Sequence, residues 1–184
     1  MANKRWIQSL SFGIVGLLIG IVIGRQLQPM PGADSLNLYE GNADATDIES
    51  PLAVIFPEDL TQDAELERLT TVISRYNFCH LPVELVGIAD SVATINLSEH
   101  SWNQDSANPA TFSGCSGTSW RSQYFQGSAG GLITSKVLAH TFIQPDFEGD
   151  WIEGVTFQYE GEPIEEGDWD HLVLFGVITE DNLP

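Results

Sequence analysis

The run from Ile7 to Gly24, IQSLSFGIVGLLIGIVIG, holds no charged side chain. As a helix rising about 1.5 Å per residue it would span roughly 27 Å, close to the hydrocarbon thickness of a bilayer. The sequence therefore predicts a single transmembrane helix within an anchor at residues 1–25. Lys4 and Arg5 precede the run and Arg25 alone follows it closely. The positive-inside rule keeps the amino terminus in the cytoplasm and puts the rest of the chain in the periplasm or a thylakoid lumen. A cleaved signal peptide is the alternative. It calls for a shorter apolar core and small residues at the cut, where this chain has Met30-Pro31-Gly32-Ala33. Gly13, Gly16, Gly20 and Gly24 stand three or four residues apart, which offers one helix face to a neighbouring membrane helix. The plain alternative is that glycine is common in membrane helices.

All 26 Asp and Glu residues follow Arg25, against four basic residues there: Arg68, Arg75, Arg121 and Lys136. That formal −22 argues against nucleic acid, whose phosphates need a basic face, and against direct contact with anionic lipid. Basic protein surfaces remain as partners. Residues 26–50 are rich in Pro, Gly, Asn, Asp and Ala and carry no sustained apolar period. They read as a flexible acidic linker with a reach of roughly 25–30 Å. Residues 51–184 are long enough for one domain with its own core.

Within that domain Leu52–Phe56 predicts a buried strand, closed by Pro57. Thr61 or Asp63 can cap a helix carrying Leu66, Leu69, Ile73 and Tyr76 on one face and ending at Asn77. Glu84–Ala89 and Val92–Leu97 flank Asp90-Ser91 as a hairpin. Residues 99–127 form a long polar insertion holding Trp102, Trp120, Tyr124 and Phe125. A helix over Ser128–Phe142, a strand over Gly154–Tyr159 and a last strand over His171–Ile178 complete the order β-α-β-β-α-β-β. The expected fold class is α+β: the transmembrane helix followed by a two-layer α/β sandwich.

Three segments resemble the GerMN family, named for a spore germination and sporulation protein. Leu85–Ser98, LVGIADSVATINLS, is similar to the family's hairpin; Leu132–Phe142 stands where its helix does; and Ile152–Pro163, IEGVTFQYEGEP, resembles its closing strand and turn. The resemblance covers roughly Leu52–Pro163. It implies a ring-building-type domain of the envelope that scaffolds or binds and does not catalyse. The long insertion and the acidic stretch after Pro163 depart from the family pattern.

Cys79 precedes the first hairpin strand and Cys115 lies in the insertion that leaves the second. These points sit at the same end of an antiparallel hairpin, so a disulfide is expected; one buried and one loop thiol is the alternative. Ser113-Gly114-Cys115-Ser116-Gly117 is not the nucleophile elbow of hydrolases, and nothing selects a histidine to activate Cys115. No catalytic residue is assigned. Asp146, Glu148, Asp150 and Glu153, and Glu165, Glu166, Asp168 and Asp170, are oxygen donors without the spacing of a calcium loop, and no metal or cofactor is expected. Trp102, Trp120, Tyr124 and Phe125 either form an interface patch or fold back over the sheet. Together these features predict a non-enzymatic, membrane-anchored extracytoplasmic scaffold or protein-binding module of the bacterial envelope. Its partners would be other membrane or envelope proteins or further copies of itself. The alternative is an accessory subunit of a bioenergetic or photosynthetic membrane complex, docked through the glycine face.

Overall fold

The computed structural model describes residues 35–57, 59–101, 115 and 117–184, with Pro51 described in its backbone alone. Helix α1 (Gln62–Asn77) starts where Thr61 Oγ1 accepts from the Ala64 N–H at 3.4 Å. Asp63 and Glu65 stand in its first turn and Arg75 in its last, each suited to the helix dipole. Leu66, Leu69 and Ile73 are fully buried, while Tyr76, read as part of the same face, is 48% exposed.

The chain then makes a hairpin of β3 (Val83–Ala89) and β4 (Val92–Leu97), antiparallel with a bulge between Leu85 and Gly87. The earlier strands, β1 (Ser35–Gly41) and β2 (Ile48–Ile55), are described below. Asp90 and Ser91 both have left-handed φ, 51° and 62°, the geometry of the two-residue turn that matches strand twist. Helix α2 (Gly127–Ile143) leads into β5 (Gly154–Tyr159), which lies parallel to β4. Glu160 and Gly161 turn the chain into a short β6 (Glu162–Pro163), giving a four-stranded sheet ordered β3-β4-β5-β6.

β1 and β2 form a separate antiparallel sheet. Leu36 and Leu38 of β1 are buried to 1% exposure or less and join the common core. Each contributes roughly 1.5–3 kcal/mol by leaving water. α2 touches β1 of one sheet and β5 of the other. Its sequence, GSAGGLITSKVLAHTFI, is small or apolar nearly all round, as suits a helix covered on most sides.

The structure corrects the expected fold class. It is a mixed α+β fold with two sheets, not one sheet under two helices. No helix among the described residues is long and apolar enough to cross a membrane, so single-pass architecture and the membrane localisation drawn from it are without support. The Ile7–Gly24 run lies outside the described residues. Residues 35–41, inside the stretch read as a linker, are strand β1, because Leu36 and Leu38 have a helix to bury against. The strand read as buried at Leu52–Phe56 is an outer one: Leu52 and Ile55 are 44% and 54% exposed, because β1 occupies the core side.

The last strand read over His171–Ile178 reduces to a single bridge between Val155 and Ile178. His171 and Gly176 adopt left-handed φ there, and residues 171–173 dock on α2 instead. The Val173 N–H donates to Ser135 Oγ at 2.8 Å. A Cβ on Gly131 would come within 3.0 Å of the His171 carbonyl carbon, so the missing side chain permits that approach.

Candidate functional site

Cys79 and Cys115 are joined in a disulfide, with Cα atoms 5.5 Å apart. Cys79 and His80 follow α1 with left-handed φ of 52° and 61°, which folds the chain back at once toward β3. The His80 N–H donates to Ser74 O at 2.9 Å, and Ser74 Oγ donates to Leu81 O at 2.6 Å. The bridge thus ties the insertion to the corner between α1 and β3. In the chain-entropy view, closing that loop stabilises the fold by about 4 kcal/mol.

The insertion returns through a short π turn, Trp120–Tyr124. Trp120 and Phe125 are buried to 1% exposure or less and Tyr124 is half-buried. Phe78, Trp120, Phe125, Tyr159 and Trp169 form a continuous set of ring contacts at 4.7–5.7 Å. Glu99 holds this return in place: its Oε1 accepts from Ser119 Oγ at 2.7 Å, the Arg121 N–H at 3.0 Å and the Tyr159 hydroxyl at 3.1 Å. Burial, then the Glu99 charge, pushes the Tyr159 phenol far above its usual range. Trp120 and Phe125 are therefore core, not a contact patch. Trp102 lies outside the described residues, as do Gly13, Gly16, Gly20 and Gly24.

A different group of residues forms an open surface. The face of the four-stranded sheet turned away from the core carries Val86, Val92, Thr94, Asn96, Thr156 and Gln158, with Val177 beside Gly154. Val86 and Val177 are 59% and 48% exposed. Thr94 and Thr156, opposite each other on β4 and β5, share a hydrogen bond of 3.1 Å. None of these side chains is charged, in a chain with a net charge of −19, and the one acid on the same face is Glu84, opposite Asn96 on the end strand. Asp90 and Glu160 stand at the turns beside it, so the acids gather at the end strand and the turns and leave the middle of the face, on β4 and β5, neutral.

The outer edge of β1 is handled in the opposite way. Gln144, in a left-handed cap after α2, accepts the Asn37 N–H through Oε1 at 2.7 Å and donates Nε2 to Asn37 O at 2.7 Å. The Tyr39 N–H donates to Thr141 Oγ1 at 3.3 Å, and Tyr39 O accepts from Asn77 Nδ2 at 3.0 Å. Side chains stand where a further strand would pair. The Tyr39 hydroxyl donates to Asp146 at 3.1 Å, and burial, then that carboxylate, pushes its pKa up to about 12. His140 packs edge-on against the Tyr39 ring at 5.5 Å, and burial lowers its pKa.

Among the described residues, no three His, Cys, Asp or Glu side chains gather closely enough to hold a metal ion. The two acidic runs over 146–153 and 165–170 therefore make no such cluster. The open face escaped the sequence reading although its signal was present. Val92, Thr94 and Asn96 alternate with the buried Ala93, Ile95 and Leu97. What the sequence lacks is the information that β5 lies alongside and adds Thr156 and Gln158. Comparison with family models, curated proteins and solved structures finds no match to this chain. The fold and its surfaces thus define the class: a disulfide-bonded, acidic α+β domain with an open sheet face whose middle is neutral.

Proposed function

We propose that this protein is a non-enzymatic scaffold or protein-binding module that docks a partner on the open face of its four-stranded sheet. The observation that carries the reading is the uncharged centre of that face on an otherwise acidic molecule. A solvated sheet face in such a chain is free to carry acids, and this one carries them only at its border. A neutral centre ringed by polar groups is the layout of a protein interface. The Cys79–Cys115 bridge supports work in an oxidising environment. The resemblance of Leu85–Ser98 and Ile152–Pro163 to the GerMN family points the same way, toward binding rather than chemistry. The acidic rim calls for a partner with basic residues around its own contact, and it opposes pairing two copies face to face.

The test is a photocrosslinking side chain placed at Val86 or Val177 of the full chain in its own cell. A discrete protein adduct is expected from both positions, absent from exposed Asp63 on α1 and lost on Thr94→Lys. Adducts that form equally from position 63, or that ignore Thr94→Lys, would overturn the assignment.

A further inference from the structure

β3 is the end strand of its sheet, and α1 runs beside it. Between them lies a shallow groove of about 410 Å³, bounded by Glu67, Thr71 and Arg75 of α1, by His80, and by Val83, Glu84 and Leu85 of β3, where Glu84 stands opposite Asn96 on the sheet's outer face. The Ser98 N–H donates to Pro82 O at 3.1 Å, and Val83 and Leu85 stand opposite Leu97 and Ile95. Antiparallel pairing alternates, so Pro82 and Glu84 bond toward β4 while Val83 and Leu85 turn their N–H and C=O groups toward the groove. Among the described residues none bonds those groups. On β1 the corresponding outward groups of Asn37 and Tyr39 are all taken by side chains.

The groove is also polar along its length. Arg75 and His80 stand at the end where β3 begins, and Glu67, two turns back along α1, stands toward the other end. We propose that this groove binds an extended peptide, which adds as a strand antiparallel to β3 with its carboxyl end at Arg75 and His80. Direction follows from charge: a terminal carboxylate or acidic side chain meets the Arg75 guanidinium, and a basic residue earlier in the peptide meets Glu67. Backbone pairing with Val83 and Leu85 supplies affinity that depends little on sequence, and the two charged ends supply polarity. This site is the edge of the sheet, not its open face, and stands apart from the docking proposed above.

The experiment is selection of displayed random heptapeptides with free carboxyl ends on the full chain. Hydrogen exchange at the amides of residues 83–85 follows for synthetic copies of the winners. Enriched peptides are expected to end in an acidic residue or to need the free carboxylate, and to slow exchange at 83–85. Arg75→Glu should weaken them about tenfold. Thr71→Trp, which fills the groove from an exposed position, should abolish binding, and so should N-methylation of alternate peptide amides. Three results would each overturn the proposal. One is failure to enrich any sequence. Another is binding that ignores Arg75→Glu and N-methylation. The third is protection at 83–85 that arises from self-association and is not displaced by the peptide.

Discussion

Two strand edges of this protein face opposite circumstances. β1 lies in a sheet of only two strands, yet its outer edge is closed by Gln144, Thr141 and Asn77. β3 ends the larger sheet, and its outer edge faces a groove. Among the described residues the β3 edge has no such cap, and an uncapped edge is the kind that can pair with a further strand. The fold holds the open side in a different manner, with the disulfide and the Ser74 bonds fixing the corner before β3 and leaving the strand itself available.

The largest effect on this contrast comes from the corner. Replacing both Cys79 and Cys115 by Ala is expected to cost about 4 kcal/mol in urea unfolding. Next is Gln144→Ala, which leaves the Asn37 N–H and C=O without their partners and should cost about 3 kcal/mol by the same measurement. Val86→Ser on the open face should stay within about 0.5 kcal/mol of the parent. Equal losses at Gln144 and Val86 would erase the distinction between a closed and an open surface.

The smallest effects are those of pH. The folded His140 has a pKa below the ordinary 6.5, so its contribution is present above that value and fades as pH falls through the lowered one. Tyr39 is raised from 10.0 to about 12, so its contribution is full below pH 10 and is lost as pH climbs toward 12. Thermal unfolding across both windows should show His140→Gln flattening the acid limb and Tyr39→Phe the alkaline one.

Much of the local structure was legible in the residues. Thr61 and the spacing of Leu66, Leu69 and Ile73 mark α1, and Asp90-Ser91 between two alternating runs marks the hairpin. β1 was not legible, since SLNLYEG holds two leucines in a polar stretch and is a strand only because α2 covers them. Its cap was hidden for a related reason, as Gln144 stands 107 positions from Asn37. The aromatic residues of the insertion announced burial or contact equally well. Glu99, which bonds to Ser119 and Arg121 on either side of Trp120, also accepts from Tyr159, sixty residues on. The glycine-faced segment and Trp102 lie outside the described residues.

Capping β1 with side chains has a mechanical consequence. Tension applied at Ser35 along the axis of β1 loads the bonds to β2 on one flank together with those to Gln144, Thr141 and Asn77 on the other. Bonds loaded side by side share the force, whereas bonds opened one after another each meet it alone. The strand nearest the start of the domain is thus placed to bear a pull from that end. The hairpin end of β3 and β4, held through a two-residue turn, would instead peel.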